Sequence, residues 1–209
     1  MRFQITLLAA VLLTAPSNLQ AAEPDPTSLL RALRGPDADR DAAVREILAA
    51  PERAAPPVLY ALSGALLQRG AADDAAFWYL AAQLRLGHAV DRCVGETDRF
   101  LGPLFIAELT EDFSARIVRH MVADPVRLNA MIARVVDWDR RTPEAYAPEW
   151  LLWRIYLRAP HAEDLVPRAD WPALAERART EFAKRWADGV AWLRASRPLE
   201  SGAWEIGDV

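Results

Sequence analysis

Three histidines and a single cysteine are the residues of this chain with ready chemistry, and each stands in a different setting. His88 precedes Cys93 by five residues, which could bring an imidazole and a thiol together across a helix end. That spacing matches no protease or metal-ligand signature. Cys93 is expected to be a small, partly buried hydrophobe near a helix end, with an intermolecular disulfide or a reactive thiol as the alternatives. His120 closes an apolar-periodic segment, where a partly charged imidazole complements the helix dipole. His161, with Glu163 and Asp164, sits in a proline-flanked stretch that reads as a solvated loop.

Asp137 and Asp139 flank Trp138 and precede Arg140 and Arg141. Two carboxylates two residues apart on a helix point in different directions, so they cannot act as an acid–base pair, and local ion pairs are the default. An aromatic set between acids and arginines also has the composition of a protein-binding surface, where Trp and Arg supply much of the energy. Trp138, Asp139, Arg140 and Arg141, together with Trp204 in the acidic tail, are therefore the expected partner contacts. Trp78 is read as core. The sequence contains no Gly-rich phosphate loop, H-E-x-x-H, G-x-S-x-G or acidic calcium loop. No catalytic residue, metal or cofactor is assigned, and the chain is not expected to be an enzyme.

The elements that must position these residues are helical. Of 209 residues, 52% are hydrophobic and 26% charged, enough for one compact domain with a sizeable core. Residues 1–22 carry one positive charge at Arg2, an apolar run from Ile5 to Ala15, then Pro16 and small residues at Ala21 and Ala22. This is the pattern of a secretory signal peptide, and its apolar core is too short to span a bilayer, which needs roughly 20 residues. The expected product is a periplasmic or secreted protein without stable membrane insertion. Its removal takes 25 basic residues to 24 against 29 acidic ones, a formal charge of −5, which disfavours nucleic acid as a partner. A lone cysteine makes no internal disulfide, so packing alone must hold the fold.

Residues 23–197 read as a single all-α domain and 198–209 as a tail. No period-2 alternation persists, and Ala, Leu, Arg and Glu dominate. A short helix ends at Gly35-Pro36. A second places Val44, Ile47 and Leu48 on one face before Pro51. Residues 57–89 predict two helices folded around Gly70, the first striped with Val58, Leu59, Leu62 and Leu66. The second carries Asp73 and Asp74 in its first turn and Arg85 with His88 in its last, as a dipole favours. From Ala75 to Ala82 its only polar group is the Tyr79 hydroxyl, so it should be covered on several sides. Residues 90–102 read as a long connection. Phe113, Ile117, Val118, Met121 and Val122 mark the next helix, and Asp124-Pro125 opens one carrying Leu128, Met131, Ile132 and Val135. Trp138 to Pro148 should break it. Residues 149–157 form a short buried helix, and a long final one carries Leu174, Ala178, Phe182, Trp186, Val190 and Leu193 behind Asp170.

The hairpin at 57–89, with Ala61, Leu62, Leu66, Leu67, Gly70, Asp74, Ala75, Trp78, Ala81, Ala82, Gly87 and Ala89, resembles one unit of the Sel1 and tetratricopeptide class. Such a class needs at least about three stacked units for a solenoid, so the expected fold is an irregular helical bundle with one Sel1/TPR-like helix-turn-helix core. The runs FWYLAAQLR at 77–85 and VVDWDRRTP at 135–143 are also similar to small secreted proteobacterial proteins. These resemblances imply a binding role and bring no catalytic residues. They extend to periplasmic immunity proteins that neutralise effectors delivered by neighbouring cells, with a basic toxin as partner. A structural or assembly factor of the cell envelope is the alternative, and a secreted enzyme of unrecognised type the third.

Overall fold

The computed structural model describes residues 26–147, 150–155 and 161–196. The expected signal peptide and the tail with Trp204 lie outside them. Among the described residues the chain is all-α, with one isolated bridge between Cys93 and Leu165 in place of any strand.

Helices α1 (Pro26–Leu33) and α2 (Asp37–Ala49) pack on each other and on α3 (Pro56–Gln68). On α2, Val44 and Ile47 turn inward as the periodicity predicts, but Leu48 is 43% exposed, because consecutive helical positions cannot share one face. The most extensive pairing joins α3 to α4 (Ala72–Arg92). Gly70, at φ 78°, makes the turn between them. Its N–H donates to the Leu67 carbonyl and the Ala71 N–H to the Leu66 carbonyl, the paired bonds of a Schellman cap. Every residue of α3 from Pro56 to Leu67 is buried. Gly64 lets α3 approach the ring of Phe113, to which a Cβ would come within 2.9 Å.

As its apolar stretch requires, α4 is central: it touches α3, α5 (Glu96–Thr110), α6 (Ser114–Ala123), α7 (Pro125–Arg141) and α9 (Trp171–Ser196). It is also longer than the sequence suggests. It runs on past residue 89 to Arg92, so Arg85 and His88 sit inside the helix and are buried, rather than capping its dipole. The expected connection at 90–102 is reduced to the turn 93–95, after which α5 begins and carries Pro103 within it. Gly95 stays in the turn as the residue before α5, whereas Gly102 and Pro103, breakers by type, lie within the helix. The turn is tied down by Val94 N–H donating to the Asp164 carbonyl and Val166 N–H to that of Arg92.

The Asp124-Pro125 start of α7 forms as expected. The Asp124 carboxylate accepts from the Val126 and Arg127 N–H groups, both at 3.0 Å, with proline in the first turn. However, α7 does not break at Trp138; it runs to Arg141. Short α8 (Trp150–Ile155) packs against α5. Along α9, Ala178, Phe182 and Val190 are buried and Trp186 is half-buried, while Trp192 stands 67% exposed.

Candidate functional site

Two arginines and a histidine on one stripe of the central helix α4, Arg85, His88 and Arg92, are buried at 0%, 2% and 7% exposure. Their partners come from the end of α7 and the segment after it. Arg85 Nε donates to Asp139 Oδ1 at 3.2 Å, Nη2 to the Thr142 carbonyl at 2.7 Å and Nη1 to the Pro51 carbonyl at 3.3 Å. Its guanidinium also lies 4.3 Å from the Trp138 ring centroid. The second Asp139 oxygen accepts from Arg179 Nε of α9 at 2.8 Å. One carboxylate therefore joins α4, α7 and α9, and full pairing is what makes burial of these charges tolerable.

Beside it, His88 Nδ1 meets Glu144 Oε1 at 2.8 Å, and Arg92 holds the other Glu144 oxygen. Burial by itself would raise the Glu144 carboxyl; the His88 hydrogen bond and the Arg92 charge outweigh it and hold the group at about 2. Ala145 N–H donates to the Glu52 carbonyl at 2.8 Å, fixing the segment that carries Glu144 and Tyr146 to the short turn Pro51–Arg53. Burial, and next the Glu144 charge, raise the Tyr146 phenol well above its usual pKa, so it stays protonated. The Tyr146 hydroxyl and His88 Nε2 are buried without a hydrogen-bond partner.

These positions redraw the expected partner surface. Asp139 is 2% exposed and spent on two arginines, so it cannot meet a partner in this fold. Trp138 packs edge-on against Phe77 and Trp78, with centroids at 5.9 and 5.3 Å, besides carrying Arg85. Arg140 and Arg141 do face solvent, but paired with Glu176 and Asp137 respectively. Trp204 is outside the described residues. Trp78 is core, as read.

Cys93 is buried, donates to the Ala89 carbonyl at 3.3 Å and packs with Leu151 and Leu152, whereas His88 faces Glu144. His120 Nε2 bonds Asp73 Oδ1 at 2.6 Å, a partner on α4 that lowers the Asp73 pKa chiefly through this hydrogen bond. His161 is exposed, its N–H donating to Asp164. Among the described residues no three His, Cys, Asp or Glu groups converge as metal ligands, and no helix is long and apolar enough to cross a membrane. Arg85, His88 and Arg92 were missed as a unit, although their i, i+3, i+7 spacing on an otherwise apolar helix already implies buried partners.

The opposite side of α4 borders a trough of about 710 Å³ walled by α5 and α9. Tyr60, Tyr79, Ile106, Phe182 and Trp186 line it, with Asp91, Glu181 and Arg185 among its charged residues. Gly87 on α4 and Gly189 on α9 also line it, and a Cβ at either would meet nothing within 4 Å. Comparison of the chain with protein-family models, with curated proteins and with solved structures returned no match.

Proposed function

We propose that this chain is an exported helical protein that acts by binding another protein, and that the trough between α5 and α9 receives a segment of that partner. The observation that carries the reading is the pair of glycines. Gly87 and Gly189 lie within helices, where glycine costs about 0.5–1 kcal/mol relative to alanine, and neither is explained by close packing, since both face open space. Their effect is to keep the trough wide. Half-buried Trp186 on its wall is of a type that dominates protein interfaces, and a groove between helices suits an amphipathic segment. The acidic balance of the chain without its leader favours a basic partner. This is the charge relation expected of an immunity protein and a basic effector.

The test uses the exported chain as bait in a periplasmic extract, followed by purification of the captured protein and reconstitution of the pair. Capture should persist with wild type and fail with Gly87→Leu and Gly189→Leu, whose helicity and melting temperature show that they fold. Equal capture by all three would remove the trough from the interface. An adjacent effector gene favours immunity, whereas an envelope operon favours an assembly role.

A further inference from the structure

Between α4, the end of α7 and the start of α9 lies a second cavity, of about 210 Å³, lined among others by His88, Arg92, Glu144, Tyr146, Trp171 and Arg179. It is unlike the trough in every chemical respect. Its charged lining holds three guanidiniums, Arg92, Arg168 and Arg179, against two carboxylates, Asp139 and Glu144, and the Arg85 charge stands directly behind Asp139. The lining is positive by one charge, with Arg168 at its exposed rim. Two guanidiniums are also held against one indole: those of Arg92 and Arg168 lie 4.5 and 4.7 Å from the Trp171 ring centroid. Stacking of this kind fixes the orientation of both guanidiniums at the cavity wall.

Two polar atoms at this cavity lack partners. His88 is 2% exposed, its Nδ1 committed to Glu144, and its Nε2 stands 3.7 Å from Asp139 Oδ2, beyond a hydrogen bond. The Tyr146 hydroxyl is the second. Each would cost about 1–3 kcal/mol if left unmade, and both belong to residues lining the same space.

We propose that this cavity is a binding site for a small organic oxyanion, a carboxylate or a phosphate ester, which the arginines attract, to which the Tyr146 hydroxyl donates and which the His88 ring meets at Nε2. The site is separate from the trough and does not depend on a protein partner.

The two anion chemistries are distinguished by titrating the ¹⁵N-labelled protein, residues 23–209, with succinate and, separately, with inorganic phosphate, reading the histidine ring nitrogens. Saturable movement of the His88 ring with at least one probe, while His120 and His161 stay still, is expected. Tyr146→Phe should weaken that binding about tenfold, with helicity and melting temperature checking that it folds. Arg168→Gln at the exposed rim should weaken it too, and it serves if the first variant misfolds. No movement with either probe at tens of millimolar overturns the proposal, as a resident water would give that result. So does binding that both variants leave intact.

Discussion

The Arg85 guanidinium and the Asp139 carboxylate, 54 residues apart in sequence, meet at 3.2 Å with 0% and 1% of their side chains exposed. The contact fixes the central helix to the end of α7, and through Asp139 to Arg179 on α9. Neither charge could be buried alone.

Removing one partner strands the other. Asp139→Ala should lower unfolding free energy by about 3–5 kcal/mol in urea titrations, since Arg85 and Arg179 lose their shared acceptor. Arg85→Met in the same background should cost much less than it does in wild type, because the charge it removes is already unpaired. Additive losses would mean that the two residues do not act as a unit.

Glu144 makes part of the stability acid-sensitive. Its folded value of about 2 lies below the ordinary 4.5, so its contribution is complete above about pH 4.5 and is lost as pH falls toward 2. The shift corresponds to at most about 3 kcal/mol. Urea midpoints measured from pH 5 to pH 2 should fall steeply for wild type and more gently for Glu144→Gln. Parallel curves would contradict the His88 and Arg92 pairing as its cause.

Glycine substitutions should have opposite signs at different sites. Gly189→Ala adds a methyl group where nothing lies within 4 Å and should raise stability by about 0.5–1 kcal/mol from helix propensity. Gly64→Ala drives a Cβ to 2.9 Å from the Phe113 ring, and overpacking of about 1–3 kcal/mol outweighs the same propensity gain. Melting temperatures of the two variants check both signs.

What the sequence made legible was local. The Gly70 reversal and the Asp124-Pro125 start follow from residues within a turn of each other, and both form. The inward faces of α3, α4 and α7 follow from periodicity. The polar cluster did not follow, because its bonds join residues 34 to 57 positions apart and no local pattern encodes them. Two misreadings have one cause. Arg85 and His88 look like the last turn of a helix ending at residue 89, and Trp138 to Pro148 looks like a break, yet in each case the helix runs past the apparent stop. Had α4 been followed to Arg92, two buried arginines and a histidine on one face would have demanded acids, and Asp139 would have been sought in the interior.

The central claim, that the trough between α5 and α9 receives a protein segment, is tested most directly by calorimetric titration of the captured partner into wild type and Gly189→Leu. The account predicts a dissociation constant at least about tenfold weaker for the variant with its fold intact. An unchanged constant would contradict it.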